Sequence, residues 1–343
     1  MKVASALVSC HASGQHPDPT LAELAVRSAL AEAGLERAEQ VILLLSREFS
    51  HQPQAAILAA ARAAGTTQVC GCTASGLFTE RGWQIDQPAA AVMVFANENS
   101  VPTISASPIL SFSGHSTLPF EWQSGSPRAG LLDTDAAAWA HGRPASNACA
   151  DSPLPGLRGR LALSTGLRNL GQGQLVEKVE NYELRRIGGH RAIDSLSRAL
   201  PAELRQHPPL HHIAALRQPG SPAVAILSAN ADGSLTLGSA LDEGETIIWA
   251  IRQPLSAEQE MRNSLLAAVD AKKQPEFGLM FSCIGRGPLF YGDDDRDLLA
   301  FREQFPGVPL LGAYGSGQIA PAAGQNQLFQ NSVITLLFES THV

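Results

Sequence analysis

The chain has 343 residues and a net charge of −7, with 44% hydrophobic and 17% charged residues. That is enough for about two domains of roughly 150 residues each, and too apolar for a disordered chain. Lys and Arg are scattered singly, so the basic footprint of a nucleic-acid binder is excluded, and no apolar run reaches the roughly 18 residues of a membrane span. The five cysteines (Cys10, Cys70, Cys72, Cys149, Cys283) include no CxxC pair and lack the density of a disulfide scaffold. Free thiols in a reducing cytoplasm are the expectation.

The opening KVASALV reads as a strand and not as a signal peptide, because its apolar part covers only residues 3–8. Apolar positions Leu21, Leu24, Ala25 and Leu30 predict a helix over residues 20–33, ended by Gly34. VILLLS (41–46) is a buried strand, Pro53 opens an alanine-rich helix that stops at Gly65, QVCGC is a third strand and AAVMVFA (90–96) a fourth. Residues 97–159 are rich in Ser, Pro, Gly and Ala and read largely as long loop. Residues 160–165 look like a strand, 175–187 like a hairpin turning at Glu180-Asn181, and 191–200 like a helix after Gly188-Gly189. ETIIWAI is then a strand, 256–271 a helix with Ser256 as N-cap, FGLMFSC (277–283) a buried strand, 294–304 a helix, and VPLLG and SVITLLF the last two strands.

The order strand, helix, strand, helix, strand, strand thus occurs twice, at an offset of about 240 residues. The fold class expected is α/β, as two pseudo-symmetric mixed halves produced by internal duplication. Gly71, Ser75 and Gly76 of the first half align with Gly312, Ser316 and Gly317 of the second. Two sheets face to face with outer helices, or one continuous mixed sheet, both suit this pattern.

The segments GCTASGLFTERG, VEKVENYELRRIGGHRAIDSL, FGLMFSCIGRG and VPLLGAYGSGQIAPAAGQNQLFQNSVITLLF resemble, in order, those of the FIST family of sensory domains. The resemblance covers nearly the whole chain and implies a FIST N-terminal-like module over 1–187, with 97–159 loop-rich, and a FIST C-terminal-like module over 188–343. It implies an intracellular small-ligand sensor without catalysis of its own, for an amino acid or other metabolite, that works alone or with a separate signalling protein. Neither nucleic acid nor membrane is an expected partner. The sequence departs from the family pattern at Leu77, Gln318 and Gln330, where acidic residues or a histidine are common. An amide-rich set, Gln318, Gln325, Asn326, Gln330 and Asn331, stands there instead.

Candidate ligand-binding residues follow. Gly71, Cys72, Thr73, Ser75 and Gly76, and Gly312, Tyr314 and Ser316, belong to two glycine turns after predicted strands, where backbone amides can approach a ligand. The alternative for each turn is a bulge or tight bend. Cys283 and Arg286 lie in SCIGRG, where Arg286 is a fork for a carboxylate or phosphate, or else half of an ion pair with the acidic run 293–295. Gln318 and Asn326 complete the set. Cys70 and Cys72 are expected on opposite strand faces and poorly placed to share a metal. No catalytic residue or metal site is assigned, and no cofactor is required.

Three alternatives stay open. A haem-based gas sensor would use His115 or His190 as axial ligand, as certain family members bind haem. An enzyme would use Cys283 or Ser316 as nucleophile, with a base that the fold brings near. An interaction scaffold would serve a separate output protein.

Overall fold

The computed structural model describes residues 1–10, 17–96, 107–154, 157–269 and 274–340. They pack as two compact units: Met1–Ser164 with Met261–Val343, and Thr165–Glu260. This division follows packing, whereas the modules expected at 1–187 and 188–343 follow chain order, so the two do not coincide.

The first unit is built on three sheets. In the first, the strands run in the order Lys2–Ser9, Ala89–Ala96, Gln40–Ser46, Val69–Ala74, Ala138–Ala140, Arg143–Pro144. In the second, the order is Leu157–Ser164, Val333–Ser340, Phe277–Cys283, Leu310–Gly315, Gly76–Thr79, Gly82–Ile85. Each sheet holds one parallel pair, Gln40–Ser46 with Val69–Ala74 and Phe277–Cys283 with Leu310–Gly315. The third sheet is Cys149–Ser152, Ile109–Ser113, Arg128–Leu132, Gly317–Ala322, Gln325–Phe329.

The strand periodicity decides what lies where. Ile42 and Leu44 enter one core with Phe281, Leu311, Phe112 and Leu131, so all three sheets share it. Phe277 stacks on Phe338 at 4.5 Å and on Phe95 at 6.0 Å, and Phe112 meets Phe281 edge-on at 5.7 Å. Such pairs add about 0.5–1.5 kcal/mol each beyond the area they bury. The alternate residues Val41, Leu43 and Leu45 face the helices Thr20–Ala33 and Gln54–Ala64. Met280, Leu310 and Leu337 face Met261, Leu265 and the helix Arg296–Gln304. Of the two arrangements that suit the sequence, face-to-face sheets with outer helices is the one found.

Several expectations need correction. The loop-rich 97–159 region contributes five short strands from Ile109 to Ser152, because their apolar residues alternate over only a few positions each; residues 97–106 lie outside the described residues. ETIIWAI does not open the second six-stranded sheet. The edge place taken by Lys2–Ser9 in the first sheet is taken in the second by Leu157–Ser164, while Thr246–Arg252 belongs to the eight-stranded sheet of the other unit. Ser256 is not an N-cap: the helix begins at Pro254, a residue suited to a first turn that needs no N–H. Asp295 caps the helix Arg296–Gln304 by accepting from the N–H groups of Asp297 and Leu298. Cys70 and Cys72, two residues apart, share a face and lie in the three-sheet core.

The second unit has its own core, with Trp249, Ile187, Leu196, Leu235 and Ile251 fully or nearly buried. Its hairpin Gln174–Glu180 and Glu183–Ile187 turns at Asn181, whose φ of 56° is the left-handed conformation that Asn tolerates.

Gly71 shows what glycine does in the first sheet. Its φ is +150°, and a Cβ there would lie 1.7 Å from the carbonyl oxygen of Leu43 on the neighbouring strand. Gly71→Ala therefore combines backbone strain with overpacking and is expected to cost about 3 kcal/mol. A urea melt monitored by tryptophan fluorescence checks this, and a loss under about 1 kcal/mol would contradict the packing account.

Candidate functional site

Two sheet-switching bends organise the site. The chain leaves the first sheet at Ala74, bends at Ser75 and enters the second at Gly76. It leaves the second sheet at Gly315, bends at Ser316 and enters the third at Gly317. The Ser75 N–H donates to the carbonyl of Tyr314 (3.0 Å), which ties one bend to the approach of the other.

Asp133, directly after the strand Arg128–Leu132, joins both bends. Its Oδ2 accepts from the Ser75 hydroxyl at 2.8 Å and its Oδ1 from the Ser316 N–H at 3.2 Å. The Ser316 hydroxyl donates to the Leu132 carbonyl (3.2 Å) and accepts from the Thr134 N–H (3.3 Å). Asp133 is only 7% exposed. Burial pushes its carboxyl above the usual range, and the Ser75 hydrogen bond and the Arg47 charge pull it back.

Arg47 follows the strand Gln40–Ser46 and opens the short 3-10 turn Arg47–Phe49, anchored by the buried Phe49. Its Nη2 donates to the Ser75 Oγ at 2.6 Å, so a continuous chain runs from guanidinium to hydroxyl to carboxylate. Thr73 accepts from the Ala137 N–H (2.9 Å), and its hydroxyl lies 2.9 Å from that of Ser50.

These groups line a cleft of about 660 Å³ with His51, His115, Thr134 and Asp135. Its walls otherwise carry small residues, Ala74, Gly114, Ala136 and Ala148. A neighbouring cleft of about 920 Å³ shares Ser50 and His51 and is lined by Pro17, Pro19, Pro53, Pro144 and Leu58. The first cleft sits at the C-terminal ends of the parallel pair Gln40–Ser46 and Val69–Ala74, where open α/β sheets bind ligands.

The expected site residues separate into groups. Thr73 lines the cleft and Ser75 and Ser316 bracket Asp133 beside it. Gly71, Gly76 and Gly312 lie buried in strands, and the space of their missing side chains is filled by Leu43, by Ile85 with Tyr314, and by Phe78 respectively. They serve sheet packing, the bend-or-bulge alternative. Cys72 is buried in the core, and burial together with the Asp133 charge holds its thiol well above its usual range. Burial likewise pushes Cys70 up to about 11. Cys283 is 6% exposed.

Arg286 is 2% exposed and is spent inside the fold. Nε and Nη2 donate to the two carboxylate oxygens of Asp297, both at 2.9 Å, and Nη1 and Nη2 reach the Ser164 carbonyl and hydroxyl at 3.0 and 2.8 Å. The ion-pair alternative is therefore the one found, with Asp297 as partner in place of the 293–295 run. Tyr314 is fully buried and donates its hydroxyl to Asp295, whose carboxyl burial and the Asp297 charge push up to about 6. Asn326 is pinned by the carbonyls of Trp122 (2.7 Å) and Ser126 (3.0 Å) and by the Arg128 N–H (2.9 Å). Gln318 is fully buried, and among the described residues neither its Oε1 nor its Nε2 meets a hydrogen-bond partner.

Arg47, Asp133, Asp135 and Thr134 are functional candidates that the sequence reading passed over. Arg47 is signalled by its place just after a buried parallel strand. AGLLDTD carries a strand-then-acid signal, hidden in a region rich in loop-forming residues.

Both histidines raised as haem ligands have Nε2 engaged by a neighbouring group. His115 Nε2 lies 3.0 Å from the Asn147 carbonyl, which can only accept, so that nitrogen carries its proton. His190 Nε2 accepts from the Arg198 guanidinium at 2.9 Å. The cleft beside His115 also lacks the large apolar walls that a porphyrin needs. Among the described residues, no group of three or more His, Cys, Asp or Glu is placed to hold a metal ion, and no helix is long and apolar enough to cross a membrane.

Comparison with known proteins bears on the second half of the chain. Residues 191–321 match the family model of the FIST C domain. FIST domains are associated with sensing in signal transduction. The FIST C match includes Arg286, Tyr314 and Ser316, whereas Arg47, Thr73 and Asp133 precede it. Uncharacterised proteins of Mycobacterium tuberculosis and Mycobacterium bovis are 25% and 28% identical over 199 residues, 54% of this chain. The chain spans about half the length of these curated relatives, 52% in each case. The human F-box only protein 22 is 40% identical over 67 residues, 19% of this chain and 16% of its own.

Two outcomes test these assignments. Arg286→Ala leaves Asp297 buried without its partner and is expected to lose about 3–5 kcal/mol of stability; a chemical melt measures it, and an unchanged midpoint would return Arg286 to the ligand candidates. Cys70 and Cys72 are expected to resist iodoacetamide in the native protein at pH 8 and to react only in denaturant, as read by peptide mass spectrometry; rapid native alkylation of either would revive the thiol-nucleophile alternative.

Proposed function

We propose that the chain is a small-ligand sensory protein whose ligand occupies the cleft between Arg47 and Asp133. One observation carries this reading: at the C-terminal ends of a parallel strand pair, a guanidinium, a buried carboxylate and hydroxyls converge on a space of about 660 Å³. Arg47 supplies a seat for an anionic group, Asp135 one for a cationic group, and Ser50, Thr73 and Thr134 further hydrogen-bonding groups. Small wall residues fit a compact, polar molecule such as an amino acid or a similar metabolite.

Sensing without catalysis agrees with the state of the hydroxyls. The Ser75 oxygen accepts from Arg47 while its proton goes to Asp133, so the hydroxyl is committed to two partners inside the fold. The Ser316 hydroxyl engages a backbone carbonyl and a backbone N–H. The five free cysteines favour the cytoplasm. The matching strand orders of the two six-stranded sheets support an origin by duplication, with Thr165–Glu260 inserted after Leu157–Ser164 in the second copy. A separate signalling protein would receive the output.

A thermal-shift screen of amino acids and common metabolites tests the proposal, since a ligand at 100 times its Kd adds about 2.7 kcal/mol to the native state. The expected result is a raised Tm for one chemical class, lost in Arg47→Ala and retained in Gln330→Ala on the exposed surface. A shift that survives Arg47→Ala would move the site elsewhere, and no shift at millimolar concentrations would remove the sensor reading.

A further inference from the structure

The Arg47–Ser75–Asp133 chain has a consequence for what enters the cleft. Resting on the reading of this cleft as a ligand site, we propose that an oxyanion seated on Arg47 is taken up together with one proton from solvent, held by Asp133. The argument is one of charge and geometry. Asp133 is buried, and among the described residues the cation that acts on it, Arg47, is reached through a single hydroxyl: Arg47 Nη2 to Ser75 Oγ at 2.6 Å, and Ser75 Oγ to Asp133 Oδ2 at 2.8 Å. An oxyanion on Arg47 cancels the field that keeps Asp133 ionised and competes for the donor that polarises Ser75. The carboxylate would then face a second negative charge across one hydroxyl in a poorly solvated site. A proton on Asp133 relieves that repulsion, and Ser75 can reverse its hydroxyl to accept from the new acid.

The other groups around Asp133 do not replace this proton. From the Val69–Ala74 strand, Cys72 faces it as a neutral thiol. From the second bend, the Ser316 N–H is an uncharged donor at 3.2 Å. From its own segment Asp135 adds negative charge to the cleft, and His51 and His115 line the same cleft from the turn after Arg47 and from the loop after Ser113. The test removes both imidazoles, so that any uptake is read without them.

Sulfate is the probe, because it does not titrate near neutrality. In a His51→Gln/His115→Gln background, calorimetric titrations at pH 6 in two buffers of different ionisation heat count the protons taken up per sulfate. The expected count approaches one, and sulfate affinity rises as pH falls, by at most about tenfold per unit for one linked proton. Asp133→Asn carries a permanently neutral side chain, so it is expected to bind sulfate several-fold more tightly at pH 7, with a flat pH profile and no proton uptake. Asp135→Asn is expected to leave the uptake in place. If Asp133→Asn does not fold, difference infrared spectroscopy of the double-glutamine chain reads the same event as a protonated-carboxyl band that grows with sulfate. Binding without uptake, or uptake that persists in Asp133→Asn or disappears in Asp135→Asn, overturns the proton coupling while leaving the cleft reading intact. Absence of Arg47-dependent sulfate binding overturns both.

Discussion

The first unit depends on one carboxylate. Asp133 holds the bend at Ser75, where the chain passes from the first sheet to the second, and the bend at Ser316, where it passes from the second to the third. Burying a carboxylate without a direct ion pair costs several kcal/mol. Hydrogen bonds to a charged acceptor return about 1.5–3 kcal/mol each, so two of them roughly offset that cost. The residue therefore adds little net stability. What it fixes is position: three sheet ends meet at one point, and the cleft opens beside it.

That position is possible because the rest of the unit is close-packed. Glycines at 71, 76 and 312 let backbone and rings occupy the space of their missing side chains, and the aromatic stack Phe95–Phe277–Phe338 joins the inner faces of the two six-stranded sheets. The ionic group on the helix side of the second sheet, Arg286 with Asp297, is closed by Ser164 and by the Tyr291 hydroxyl. The Arg286 guanidinium is turned inward onto Asp297 and Ser164, which is how a buried charge pair survives. Arg47 differs in kind: it is exposed, at a strand end, and donates to a hydroxyl that a ligand can compete for.

The α/β class and most of the long regular elements were legible in the sequence, because long apolar strands and helical periodicity announce themselves locally. Residues 20–33 and 277–283 are found as helix and strand with the bounds expected for them. The short strands between Ile109 and Ser152 were not legible, since two to five residues carry too little periodicity against a background of Ser, Gly and Pro. The candidate site fell into the same gap. Ser75 and Ser316 could be aligned as equivalent positions, but nothing local says that both point at Asp133, which lies 58 residues from one and 183 from the other. The glycines and Arg286 drew attention for sound chemical reasons, and burial decided against them.

The FIST C match ends at residue 321 and takes in Ser316, whereas the cleft's titratable groups all lie before residue 191. The Asp133 carboxylate therefore bonds a residue inside the matched stretch from outside it. A change of charge at Asp133 acts on both bends at once: Ser75 loses or reverses its hydrogen bond, and the Ser316 N–H faces a weaker acceptor. Ser75 is also tied to Tyr314 through its backbone, and the Tyr314 hydroxyl reaches Asp295 at the head of the helix Arg296–Gln304. A contiguous set of hydrogen bonds thus runs from the cleft to a helix N-terminus on the outer face of the second sheet. Contiguity alone is not coupling. It becomes coupling if Asp133 has two protonation states that the ligand distinguishes, because a ligand shifts an equilibrium only by its differential affinity for the two states.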